Sequence, residues 1–158
     1  MNNVSEEFRV IKYGVKETAV ELRKALKVEF PGVKFSVRMA RGTAYGYFDV
    51  SYTDGPPEAV VRKVTSRFQS SYFDGMDDST KFIPPKMYMI DGEPAILEYT
   101  CDGASPSRHL SPAALAWAER VAAADPGKWA SPYDHDGDTY YAARKVLAET
   151  DLRRIEYQ

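Results

Sequence analysis

Asp134-His135-Asp136-Gly137-Asp138 is the most metal-like run of the chain, because carboxylates at alternate positions could place several hard oxygens around calcium or magnesium. The spacing departs from an EF-hand. Counted from Asp134, the sixth position, which needs glycine, holds Thr139, and the twelfth, which needs a bidentate glutamate, holds Lys145. The run therefore reads as an acidic loop that caps a following helix. A second acidic stretch, Phe73-Asp74-Gly75-Met76-Asp77-Asp78, gathers the carboxylates of Asp74, Asp77 and Asp78 around a glycine turn. Neighbouring residues seldom converge enough oxygens on a hard cation, so the three aspartates are read as an acidic patch for a basic partner. Phe73 and Met76 are expected to tuck under the core.

Nucleophilic and zinc chemistry find little in the sequence. His109 and His135 are the only histidines and Cys101 the only cysteine, with none of them at zinc-ligand spacing. Cys101 is expected to be a buried, inert thiol at a strand end. No phosphate-cradling glycine loop, nucleophile elbow or paired-histidine protease motif occurs, so no catalytic residue, cofactor or metal is assigned.

Lys34, Arg38, Arg41, Tyr45 and Tyr47 suggest a different chemistry, the stacking of bases and pairing of phosphates on the outward face of a hairpin. Cross-strand pairing accounts for the same residues without any ligand. Trp117, Trp129, Tyr133, Tyr140 and Tyr141 enrich the C-terminal part in residues favoured at protein interfaces. They are expected to fix helices to the sheet, and exposure of even two would mark a partner site.

These residues need elements to hold them. Val15, Ala19, Leu22, Leu26 and Phe30 recur at helical spacing, and Pro31-Gly32 ends that helix. Phe35, Val37 and Met39, then Phe48, Val50 and Tyr52, alternate as in two paired strands. Val60, Val61, Val64 and Phe68 define a second helix, for which Asp54 and Pro56-Pro57 supply the start. The chain then frays into the polar loop at 73–80. KMYMI and AILEYTC flank Asp91-Gly92 as another strand pair. Ser111-Pro112 opens a helix with Leu115, Ala118 and Val121 or Ala122 inward, a fourth helix covers about 139–150, and 154–157 suggests a short edge strand.

The expected fold is α+β: an antiparallel-rich sheet of about four strands, an α-β-β-α N-terminal core, and two additional C-terminal helices. A single domain over 1–158 is expected, with 8–90 forming the core plus the start of the second hairpin, and 91–158 a strand and an alanine-rich helical tail. A net charge of −2 and pI near 5.7 argue against bulk electrostatic attraction to nucleic acid. With one cysteine, no apolar run of membrane-spanning length and a polar Met1-Asn2-Asn3 start, the expected location is the cytoplasm.

Gly32-Val33-Lys34-Phe35-Ser36-Val37-Arg38, Asp49 through Pro56, and Phe73-Asp74-Gly75-Met76-Asp77 agree in order and spacing with a known family. The chain resembles the large polyvalent protein-associated domains, the twenty-ninth of that series, well over 15–90. The resemblance implies a phage or conjugative-element setting inside a bacterial host cell and carries no catalytic residue. The leading expectation is a non-enzymatic accessory protein that binds a host protein, a subunit of a defence complex, in an anti-CRISPR or anti-restriction role. The alternative is a nucleic-acid-binding module using Arg38, Arg41, Tyr45 and Tyr47; third comes a divalent-metal nuclease or hydrolase. A homodimer is compatible with each.

Overall fold

The computed structural model describes residues 8–134 and 139–157. In chain order, β1 (Arg9–Tyr13), α1 (Val15–Glu29), β2 (Ser36–Met39), β3 (Tyr47–Thr53) and α2 (Glu58–Thr65) are followed by β4 (Ser71–Asp74) and β5 (Ser79–Phe82). Next come β6 (Lys86–Ile90), β7 (Glu93–Tyr99), β8 (Gly103–His109), α3 (Pro112–Ala124), the single turn α4 (Pro126–Trp129) and α5 (Tyr140–Glu149).

The apolar stripe of α1 buries Val15, Ala19, Leu22 and Leu26 as its spacing predicts, and the chain turns at Gly32, whose φ of 86° suits glycine. β2 and β3 pair antiparallel, with Val37 opposite Val50 and Met39 opposite Phe48. Their inward residues meet α1 and α2 in a core that includes Phe48, Val50, Tyr52, Val61, Val64, Phe68 and Cys101. Buried polar groups in this core are satisfied, as interiors require. Thr18 Oγ1 donates to Tyr13 O at 3.3 Å and accepts from Thr100 N at 3.1 Å, and Thr65 Oγ1 donates to Ala104 O at 3.0 Å. Tyr52 donates to Pro56 O at 3.0 Å, and burial pushes its phenol up to about 12.

The expectation of one four-stranded sheet is corrected. Three small sheets form among the described residues: β1-β7-β6, β2-β3-β8 and the β4-β5 pair. Two strands that local patterning does not announce cause the difference. β1 lies parallel to β7, and β8 lies parallel to β3, so each completes a three-stranded sheet from a distant part of the chain. The chain passes from one sheet to the other through Thr100, Cys101 and Asp102, where the fully buried Cys101 joins the core under α1, α2 and the β2-β3 pair.

Other expectations also change. The polar stretch expected at 73–80 is the end of β4, a turn and the start of β5. Asp54 does not cap α2; it occupies a left-handed turn at φ 54°, and its Oδ1 accepts from Ser111 N at 2.8 Å. Val60 and Leu115 face outward while Ala114, Ala118 and Ala122 face inward. Residues 152–154 form a 3-10 turn in place of the start of an edge strand.

The alanine face of α3 packs on Ala142, Ala143, Val146 and Leu147 of α5, with Trp129 and Leu152 closing a second core. Small side chains let the two helices approach closely. Arg108, at the end of β8, joins this core to the first. Its guanidinium donates to Asp54 O (2.9 Å) and Gly55 O (2.7 Å) on one side, and to Leu147 O (2.6 Å) and Thr150 O (3.0 Å) at the C-terminus of α5 on the other.

Candidate functional site

The β4-β5 hairpin is fixed at its base and exposed at its tip. Ser70 N and Oγ both donate to Cys101 O at 2.8 Å, and Ser70 Oγ accepts from Cys101 N at 3.1 Å. Ile83 N donates to Ser70 O at 2.9 Å, and Ser71 Oγ donates to Asp102 Oδ1 at 3.1 Å. Every one of these bonds lies at the root, so the four paired positions Ser71–Asp74 and Ser79–Phe82 extend from a rigid attachment.

Along the hairpin, cross-strand register places Phe73 and Phe82 on one face and Tyr72, Asp74 and Lys81 on the other. Phe73 is 61% exposed, Phe82 84% and Met76 95%. The expectation that Phe73 and Met76 lie under the core is therefore corrected. A two-stranded ribbon has no second layer behind it, so its apolar side chains stay outside.

Asp74, Asp77 and Asp78 do gather at the tip, but two of them are occupied. Lys81 forms ion pairs with Asp74 and, at 2.9 Å, with Asp77. Lys81 above all holds the Asp74 carboxyl below its ordinary 3.8, and the Ser79 hydroxyl followed by Lys81 does the same for Asp77. A carboxylate depressed in the folded chain stabilises it above the ordinary value, and that contribution disappears as pH falls through the lowered one. In a side-chain NMR titration, Asp74 and Asp77 are expected to titrate below 3.8 and to return toward it in Lys81→Met. Asp78 stands at φ 53° and shapes the turn.

At the hairpin root, Phe82, Pro84, Pro85, Tyr88 and Tyr99 line a cleft of about 290 Å³. The exposed apolar hairpin thus runs into a concave apolar surface at its base.

Arg38 and Tyr47 share the outward face of the β2-β3-β8 sheet, with Arg41 and Tyr45 exposed in the connection between β2 and β3. Arg38 stands directly opposite Asp49 in the register. The Tyr47 ring lies so close over Gly103 that a Cβ there would come within 2.9 Å of it. The structure therefore brings Arg38 and Tyr47 together on one open face with an acidic neighbour between them.

Trp129 is buried in the second core and Trp117 packs partly against it, so the two tryptophans fix helix to helix, which corrects the expectation that they fix helices to the sheet. Tyr133, Tyr140 and Tyr141 are exposed and pack on one another, with ring centroids 5.7 and 5.2 Å apart. Asp134 caps α5, accepting from Tyr141 N at 2.8 Å and Ala142 N at 2.9 Å. Positions 135–138 lie outside the described residues, and among those described no cluster of three or more His, Cys, Asp or Glu is placed to hold a metal ion. Cys101 is buried, which pushes its thiol up to about 12 and leaves it protonated near neutrality.

What the geometry defines is an α+β protein whose most exposed chemistry is apolar and carried on an anchored hairpin. The model of large polyvalent protein associated domain 29 matches residues 13–111, more than half of the chain, and the protein belongs to that family. Membership places it among phage- and mobile-element-associated proteins. No curated protein and no solved structure matches it. No described helix is long and apolar enough to cross a membrane.

Proposed function

We propose that the protein is a non-enzymatic accessory of a phage or mobile element that captures a host protein, a subunit of a bacterial defence system such as CRISPR interference or restriction, with its β4-β5 hairpin. The observation that carries the reading is the exposure of Phe73, Met76 and Phe82 on a hairpin whose root is tied down at Ser70 and Ser71. Large apolar side chains held rigidly outward lose little entropy on binding and suit insertion into a groove. The three tip aspartates against one lysine favour a partner with a basic rim, which steers encounter while the apolar residues hold the complex. The defence assignment is supported by the mobile-element setting of the family.

Affinity purification from bacterial lysate, with and without nuclease, tests this. A host protein retained in both samples by the wild-type chain and lost by Phe73→Ser/Phe82→Ser at unchanged melting temperature is the expected result. Equal recovery by the variant, or no enriched protein, sinks the proposal. A second reading, nucleic-acid binding on the Arg38, Arg41, Tyr45 and Tyr47 face, is favoured only by the pairing of Arg38 and Tyr47 on one open surface. Recovery that vanishes with nuclease and with Arg38→Glu/Tyr47→Ala would transfer the function to that face.

A further inference from the structure

β6 is an edge strand among the described residues, since the sheet order β1-β7-β6 leaves one side of it without a paired strand there. Natural proteins shield such edges with bulges, prolines or charges, because an open row of N–H and C=O groups recruits another strand. β6, Lys86-Met87-Tyr88-Met89-Ile90, has a continuous register with β7 and no proline, and its only charge is at one end.

The turn fixes which groups face outward. Asp91 and Gly92 have φ of 54° and 81°, the signature of a two-residue turn of the I′ kind, so the flanking pair Ile90 and Glu93 is hydrogen-bonded. Bonded and non-bonded pairs alternate along an antiparallel ladder. Met89 opposite Pro94 is then a non-bonded pair, which suits a proline without an N–H. Met87 and Met89 consequently direct their backbone N–H and C=O groups to the open edge. Their side chains are also exposed, at 51% and 69%, and on the same sheet face lie Val10 and Ile96, opposite one another.

We infer that a second copy of this chain pairs with this edge, β6 against β6 antiparallel about a two-fold axis at Tyr88. This register sets Met87 opposite Met89 of the partner copy at both ends of the pair, so the outward groups meet as two hydrogen-bonded pairs. It also makes the strand self-complementary in charge. Lys86 lies opposite Ile90 of the other copy, and Ile90 pairs in turn with Glu93, so a lysine faces an acidic end along one cross-strand row, with Asp91 alongside. A parallel arrangement would set Lys86 beside Lys86. The result is a continuous six-stranded sheet. It goes beyond the host-capture reading and stands without it, because the hairpin tip is not part of the pairing.

Sedimentation equilibrium of the full chain over a wide concentration series is the test. A dimer is expected. Met89→Pro removes only an outward N–H, which an edge strand tolerates. Two hydrogen bonds are lost per dimer, and the dissociation constant rises about tenfold or more. Lys86→Glu is expected to weaken the dimer, and Lys86→Glu/Glu93→Lys to restore it; this pair decides the matter if Met89→Pro fails to fold. A monomer at every concentration overturns the inference. A dimer indifferent to Met89→Pro and to charge reversal but abolished by Ile96→Lys overturns it too, because it means packing through the sheet face. A monomer whose β6 amides become protected only on adding the captured host protein also counts against it, since the edge then serves a foreign strand.

Discussion

Arg108→Met is expected to cost about 3 kcal/mol of stability and to lower the melting temperature by about 10 °C. Methionine keeps much of the volume but offers no donor. The carbonyls of Asp54, Gly55, Leu147 and Thr150 would each lose a charge-assisted hydrogen bond. Two of these carbonyls lie at the C-terminal end of α5, where the helix leaves its last acceptors unsatisfied and its dipole favours a cation. Burial lowers the Arg108 pKa without discharging it, since the guanidinium stays protonated throughout the working range. The loss should be uneven. Leu152 N still donates to Gly55 O at 2.8 Å, so α5 is loosened from the first core before it separates. Hydrogen exchange is the measurement: amides of α5 should lose protection in Arg108→Met while those of α1 keep most of theirs. Arg108→Lys should recover only part of the loss, because one ammonium cannot span four carbonyls on two elements. Uniform loss of protection across both cores would show that Arg108 supports the whole fold and does not act as a bracket.

Arg108 also marks where the sequence stops being informative. α1, the β2-β3 pair, the β6-β7 pair and the start of α3 follow from local signals: helical spacing from Val15 to Leu26, alternation from Phe48 to Tyr52, the Asp91-Gly92 turn and the Ser111-Pro112 cap, whose Oγ accepts from Ala114 N at 3.2 Å. β8 is different. Gly103-Ala104-Ser105-Pro106-Ser107-Arg108-His109 has weak strand propensity and becomes a strand through parallel pairing with β3, some fifty residues earlier. β1 likewise depends on β7. Parallel partners are joined by long connections, so no turn motif announces them.

The site was partly legible for the same reason. Period-two alternation placed Arg38 and Tyr47 on one outward face, as the register bears out. Phe73 and Met76 read as core residues in the sequence because apolar residues are usually buried, a rule that presumes a second layer. The missing signal was the pair of short segments Ser71–Asp74 and Ser79–Phe82 flanking four turn residues, a ribbon too short to be covered by its own side chains. Lys81 stands four residues after Asp77, and its pairing with Asp74 across the hairpin follows once that ribbon is recognised.

Gly46→Ala should be the most damaging small substitution in the β2-β3 connection, at about 3 kcal/mol, and its effect should reach the hairpin. Gly46 has φ of 114°, a conformation that L side chains avoid. A Cβ there would stand 3.1 Å from Asp102 Cγ and closer still to its Oδ2. Asp102 cannot simply withdraw. Its N–H donates to Gly46 O at 2.9 Å, and its Oδ1 accepts from Ser71 Oγ at the root of β4. Displacing that carboxylate breaks the Ser71 bond, so the hairpin bearing Phe73 and Phe82 should lose rigidity while the strands behind it persist. Asp102→Ala alone removes the same bond without the collision and should cost about 1 kcal/mol. In Gly46→Ala/Asp102→Ala the collision is gone and only the backbone strain and the lost bond remain. The double variant should therefore be more stable than the sum of the two single losses predicts, by about 1 kcal/mol, the coupling expected of residues in direct contact. Chemical denaturation of the four proteins measures that coupling. Strict additivity would place the whole cost of Gly46→Ala in its backbone, leaving the hairpin root untouched.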